Sequence, residues 1–205
     1  MELTAAIRAR RMVRRFDDRS VDATLIDGLV DLAVRAPSAG NTQGWQLLVL
    51  EGQDDRDRFW GAVRDPAWED AAGSTRWHVR QAPVVIVPFA DETAYLERYA
   101  QPDKAYSSLS SRGAWPAPYW LTDTAMATQN LLLGATDVGL GAVFFAITHG
   151  LDAMRAAFDV PPRLVPIGAV ALGWPAATQV RSPSLARGRR PVADVVHRGG
   201  FGPQT

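Results

Sequence analysis

Four clusters in this sequence have residue types and spacings suited to holding a flat, charged ligand. The first is Arg10-Arg11-Met12-Val13-Arg14, directly after a short helical pattern. Guanidinium forks match phosphate oxygens and the carbonyl edge of a heteroaromatic ring. A cluster at that place can set two of them on one ligand; a solvated basic turn is the alternative. The second is Arg187-Gly188-Arg189-Arg190-Pro191. Residues two apart on an extended chain point the same way, so Arg187 and Arg189 suit one phosphate, with a solvated tail as the alternative. The third is the loop Pro37-Ser38-Ala39-Gly40-Asn41-Thr42-Gln43-Gly44-Trp45. Its small polar side chains and amides can bond the edge of a flat polar ligand, or simply join a helix to a strand. The fourth is Gly134 to Ala146, which holds Gly139-Leu140-Gly141.

Other chemistries are excluded or left thin. Cysteine is absent, which removes disulfides, thiolate nucleophiles and cysteine-held metals. The three histidines, His78, His149 and His197, are too far apart in sequence for a local HExxH-type metal site. Lys104 is the only lysine among 22 basic residues, so Schiff-base chemistry would rest on it alone. Ser38 lies in Ala-Pro-Ser-Ala-Gly, which lacks the first glycine of the hydrolase elbow and follows a helix instead of a strand. Phe144 occupies the third glycine position of a would-be GxGxxG, and no P-loop is present. His149, after a predicted strand, is either a site residue or structural. Tyr95, Tyr99, Tyr106 and Trp115 either line an aromatic pocket or pack their segment onto the core.

These clusters need elements to carry them. Spacing predicts a short helix over 3–9 and a helix over 25–36, capped by Asp22 and stopped by Pro37. Strands are predicted over 45–50, 83–89, 142–147 and 164–172. Further helices are expected over 56–63, 120–138 and 151–158. Residues 64–82 read as mixed and polar, and 91–116 as an irregular or weakly helical excursion. The run Leu131-Leu132-Leu133 makes helix 120–138 apolar all round, so it is expected to be buried on more than one side. Ala125, Ala127, Gly134 and Ala135 let another helix approach it. The tail 188–205 has one apolar run, Val192 to Val196, expected to be extended and in need of a partner edge.

Mixed helices and strands in this order give an α+β or α/β fold, in one domain over residues 1–205. A net charge of zero argues against binding nucleic acid or anionic membrane through bulk charge. No signal peptide or membrane span is legible, so a soluble cytoplasmic protein is expected.

Taken in order, the four clusters resemble the FMN-dependent nitroreductase family. The family's opening Arg-Arg-Ser-x-Arg-x-Phe corresponds to Arg10-Arg11-Met12-Val13-Arg14-Arg15-Phe16. Its Pro-Ser-x-x-Asn-x-Gln-Pro-Trp loop corresponds to Pro37 to Trp45. Gly139 to Ala146 matches its Gly-Leu-Gly turn and strand, and Arg187, Arg189 and Pro191 match its basic tail. Met12 replaces a serine and Gly44 a proline. Ala146 stands where some members have an acid, and the basic or amide pair that some carry near residue 70 is not recognisable.

The resemblance implies an α+β fold with a central, mainly antiparallel sheet flanked by helices, in an intertwined homodimer with FMN at the interface. Arg10, Arg11, Met12 and Arg14 would meet the phosphate chain and pyrimidine edge. Arg187 and Arg189 would hold the phosphate. Pro37, Ser38, Ala39 and Asn41 would come from the partner subunit, and Phe145 and Ala146 would face flavin N5. The tail 188–205 would extend onto the partner. The implied reaction is NADH- or NADPH-driven reduction of nitroaromatic, quinone or similar flat acceptors, with the chemistry carried by the flavin and no catalytic side chain or metal. Ene reduction, dehydrogenation or dehalogenation on the same fold, or a non-enzymatic flavin-binding role, are the alternatives.

Overall fold

The computed structural model describes residues 1–65, 77–179 and 182–201. The helices are α1 (Leu3–Ala9), α2 (Ala23–Ala33), α3 (Gln53–Ala62), α4 (Glu92–Tyr99), α5 (Tyr119–Asp137) and α6 (Leu151–Ala157). The strands are β1 (Trp45–Leu50), β2 (Val84–Asp91), β3 (Gly141–Phe145), β4 (Leu164–Pro166) and β5 (Ala169–Gly173).

The strands form one sheet in the order β1-β2-β5-β3, with β4 also on β2, and every pairing is antiparallel. β2 is central, and all eight of its residues are buried. Val85, Val87 and Phe89 face a core shared with Phe59 and Trp60 of α3 and Met154 of α6. Val84 and Ile86 face the opposite core, built with Ile26 and Leu29 of α2 and Leu131 and Leu132 of α5. A strand apolar on both faces therefore has helices on both faces, giving three layers.

The expected strand over 164–172 is two strands. β5 pairs with Val84 to Ile86, and β4 with Phe89 to Asp91. Pro88, which has no N–H to give a ladder, falls between these pairings, and its carbonyl accepts from Ile167 N at 3.0 Å. Gly168 makes the break possible: it has φ of 147°, and a Cβ there would lie 2.6 Å from the Phe144 ring.

Other boundaries shift for local reasons. Asp22 caps α2 as expected, its side chain accepting from Thr24 N. That helix ends at Ala33, ahead of Pro37, because the residues before a proline favour extended backbone. α3 begins at Gln53, where Asp54 and Asp55 in its first turn favour a helix start. Residues 91–116 are more ordered than expected: Asp91 ends β2 and caps α4, accepting from Ala94 N. Most of 64–82 lies outside the described residues; Trp77–Gln81 is a 3₁₀ turn.

The small residues of α5 admit α2 as expected. A Cβ on Gly134 would meet the Leu32 and Leu29 methyls at 2.8 and 2.9 Å. The tail corrects one expectation. Val192–Asp194 is a 3₁₀ turn, not an extended segment. Val192, Val195 and Val196 are exposed, and the strand pairings among the described residues do not include them.

Candidate active site

The arginine stretch is held along the sheet edge. Val13 N donates to the Ala142 carbonyl at 2.9 Å, and Met12 bridges Ala142 in parallel. Asp17 N donates to Trp174 O and Ala176 N to Arg15 O, both at 3.0 Å. Residues 12–17 are thus tied to β3 at one end and to the exit of β5 at the other. Gly141 is needed for this approach, because a Cβ there would lie 2.6 Å from a Val13 methyl.

This arrangement brings Arg14 to the end of β3. A cavity of about 250 Å³ lies there, lined by Arg14, Trp60, Val79, Val143, Phe144, Phe145, Ala146 and Thr148. Trp60 stacks on Phe145. Arg14 gives one long hydrogen bond, 3.3 Å to Met12 O. Among the described residues, Arg10 Nη1, Arg15 Nε and Trp60 Nε1 are buried with no hydrogen-bond partner. Buried donors without acceptors are costly, so Trp60 on the cavity wall and Arg10 and Arg15 in the stretch that carries Arg14 make a surplus of N–H groups. A planar ring with oxygens on its edge, or an anionic group, is the complement of that surplus. Arg11 is turned away: its guanidinium donates to the carbonyls of Arg8 and Arg10, in solvent.

The loop after α2 is built elsewhere. Ala39–Asn41 is a 3₁₀ turn, and Gly40, Asn41 and Gln43 have φ of 63°, 52° and 53°. Ala39 N donates to Asp123 Oδ2 at 2.8 Å, and Tyr95 OH donates to the same oxygen at 2.7 Å. Gln43 N donates to Ser38 Oγ, and Arg98 Nε to Gly40 O. Asn41 Oδ1 accepts from Gln43 Nε2, and Pro37 and Asn41 are exposed. Gly44 answers the missing proline: a Cβ there would lie 2.5 Å from the Tyr95 ring. Burial, reinforced by donation to Asp123, pushes the Tyr95 hydroxyl well above the ordinary tyrosine range.

The excursion packs its aromatics on one another. Trp115 meets Tyr99, Tyr119, Tyr95 and Trp120 at 4.8, 5.5, 5.9 and 6.1 Å between ring centroids. Its indole N–H donates to Leu109 O. Lys104 Nζ lies 5.4 Å from the Tyr99 ring centre, while Tyr106 is largely exposed. His149 pairs with the buried Asp65, Nδ1 to Oδ2 at 3.0 Å.

Of the sequence-predicted site residues, one cavity gathers Arg14, Phe145 and Ala146. Met12 lies on the backbone bridge beside it. Pro37, Ser38, Ala39 and Asn41 form a separate site behind α4 and α5. Arg187 and Arg189 are exposed on the tail. Sequence reasoning missed Trp60, Val79, Val143, Phe144, Thr148 and Asp123. Asp123 carried a signal, being an acidic residue inside the long apolar helix; Trp60 carried none.

The fold and cavity define an α+β protein with an aromatic-walled cavity at a sheet edge, and comparison with known proteins gives its family. The model of the Nitroreductase family matches residues 7–174, and the chain belongs to that family. It is 30% identical to an NADH dehydrogenase of Thermus thermophilus, over 84% of this chain and 86% of that one. A Methanothermobacter thermautotrophicus chain named for NADH dehydrogenase and NAD(P)H nitroreductase activity is 27% identical, over 86% of this chain and 78% of the other. A nitroreductase-type structure from Desulfovibrio desulfuricans, solved in complex with FMN, superposes with a TM-score of 0.69 at 27% identity, covering 98% of this chain and 99% of that one.

Proposed function

We propose that the chain is an FMN-dependent oxidoreductase that uses NADH or NADPH to reduce flat acceptors such as quinones or nitroaromatics. The observation that carries this is the cavity at the end of β3, where Arg14 meets the stacked Trp60 and Phe145. FMN, when bound, supplies hydride acceptance and donation. Arg14 would hold the electron-rich carbonyl edge of its ring, favouring negative charge there. Arg10 and Met12 would flank it, with the buried Arg10 Nη1 as a donor awaiting an acceptor. Arg187 and Arg189 would grip the phosphate. Trp60, Phe144 and Phe145 keep water from the ring faces and hold its plane.

A homodimer completes the site in this reading. The loop 37–43 does not line the Arg14 cavity of its own chain, so a partner's copy would supply it. Leu3 and Ile7, four apart on α1, are 65% and 50% exposed. Met126 of α5 and the tail residues Leu185, Val192 and Phe201 are also uncovered. A second copy is the economical cover for apolar groups spread over both ends of the chain.

The test is an absorbance spectrum of the purified protein, followed by anaerobic titration with NADH and NADPH. Denaturation should release FMN. Recovery of FAD, or no binding after reconstitution with FMN, overturns the reading. Steady nicotinamide oxidation with quinone or nitroaromatic acceptors separates an enzyme from a passive flavin carrier.

A further inference from the structure

Asp123 is an acidic residue only 2% exposed, inside a helix whose other inward residues are small or apolar. The ion pairs found among the described residues do not include it. A buried carboxylate without a cation depends on hydrogen-bond donors to replace water. Two supply that need. Tyr95 OH and Ala39 N converge on Oδ2 at 2.7 and 2.8 Å, while the single proton of Thr122 Oγ1 is shared between Tyr119 O at 3.0 Å and Oδ1 at 3.2 Å. One of the two donors is a side chain backed by a helix. The other is the backbone amide of a loop.

The consequence is mutual. The carboxylate keeps this donor only while Ala39 stays in place, and the Ala39 end of the loop is held by the carboxylate oxygen it donates to. Gly40, Asn41 and Gln43 hold left-handed φ values, which cost free energy in non-glycine residues and need external support. Asp123 supplies that support from below, while Arg98 and the Tyr99 ring, pressed against Gly40, supply it from the side.

We propose that Asp123 is the positioning residue of the cofactor loop: through the Ala39 amide it fixes residues 37–43 in the shape that meets the flavin. This rests on the functional reading above. Tyr95 carries the same clamp to α4, so the aromatic excursion and the cofactor loop move as one body.

The test compares Asp123→Asn, Tyr95→Phe and Ala39→Pro in the full chain. Ala39→Pro replaces the amide donor with a ring carbon aimed at Oδ2, so it cuts the link and makes the carboxylate withdraw. The backbone accepts it, because Ser38 is extended (φ −141°, ψ 146°) and residue 39 opens a 3₁₀ turn. FMN affinity is read by flavin fluorescence, and loop closure by hydrogen exchange over residues 37–43. Asp123→Asn keeps an oxygen that can accept from Ala39 N but makes that bond neutral, so FMN binding is expected to weaken about fivefold, the difference between a charged and a neutral hydrogen bond, and exchange at Ala39 to speed up. Tyr95→Phe leaves the Ala39 bond and should change affinity about threefold or less. Asp123→Asn on top of Ala39→Pro should add little, since Ala39→Pro has already removed the donor that the weakened acceptor would meet.

Unchanged FMN affinity in Asp123→Asn despite a lower melting temperature overturns the proposal, and so do fully additive effects of the two substitutions. Should Asp123→Asn not fold, unchanged affinity in Ala39→Pro overturns it as well. A wild-type protein that binds no FMN overturns the functional reading instead, and the exchange measurement still decides whether Asp123 holds the loop.

Discussion

Trp60 and Phe145 lie face to face, 5.5 Å between ring centroids and 14° between planes, on the wall of the cavity that Arg14 enters. The contact joins α3 to the last residue of β3, so a helix on one face of the sheet shapes the site at its edge. Trp60 is 6% exposed, and its N–H has no acceptor among the described residues.

Trp60→Phe removes that unpaired N–H and keeps an aromatic ring. The folded apoprotein should therefore lose little stability, within about 1 kcal/mol, because the lost volume is offset by the removed polar group. Trp60→Ala deletes the ring and should cost about 3–5 kcal/mol. Urea unfolding of the two apoproteins checks the contrast; equal, large losses would show that the N–H is satisfied.

Gly44→Ala places a methyl 2.5 Å from the Tyr95 ring, which is fully buried. The ring has no free side to retreat to, since Trp115 and Trp120 pack on it. Overpacking of this kind costs about 1–3 kcal/mol. A melting curve unchanged from wild type would show that Tyr95 yields.

Tyr95 should resist alkali. Its ionisation lies above the ordinary value of 10.0, because burial and the Asp123 carboxylate both disfavour a phenolate. A group whose folded pKa is raised contributes stability that is complete below the unfolded value and is lost as pH climbs past it. Stability should accordingly be flat across neutral pH on account of this residue and fall above about pH 10. Spectrophotometric titration should show one of the four tyrosines ionising only as the protein unfolds; Tyr95→Phe should remove that late step and flatten the alkaline loss.

The tail arginines should separate by role. In the proposed role Arg187 and Arg189 would each give the phosphate a charge-assisted hydrogen bond of about 1.5–3 kcal/mol, so Arg187→Ala with Arg189→Ala should lower FMN affinity on the order of a hundredfold or more. Arg190 donates to Asp194 O within the tail, and Arg190→Ala should leave FMN affinity within about threefold. Arg14→Ala should slow anaerobic flavin reduction more than it weakens binding, because its proposed contact is the ring edge. Equal, small effects at 187, 189 and 190 would make the tail arginines an ordinary solvated surface.

Local chemistry made much of this legible in the sequence. Periodicity marked every long element, from the both-sided burial of β2 to the close approach at Gly134, because these follow from runs of apolar and small residues. Arg14, Phe145 and Ala146 could be grouped in advance because they sit in linear motifs, and one sheet edge brings them to the same cavity. Trp60 and Asp123 were not, because their roles arise from contacts across 85 and 84 positions of chain. The break at Gly168 was hidden in the same way: Val165 to Leu172 reads as one apolar run, and only pairing on two different stretches of β2 divides it. The tail failed for a further reason. A short apolar run that stays exposed carries no instruction about its shape on this chain.

Lys104, resting beside the Tyr99 ring, makes this chain unusually simple to instrument. With one lysine in the sequence, an amine-reactive dye has a single side-chain destination, the α-amine being separable from it by pH, since lysine reacts as well only at high pH. That destination lies one aromatic ring away from Gly40, the centre of the loop that Asp123 holds. A fluorophore there would be quenched by tyrosine and tryptophan to a degree set by how tightly the loop is seated. The natural composition thus installs an optical gauge of loop closure without a single engineered residue.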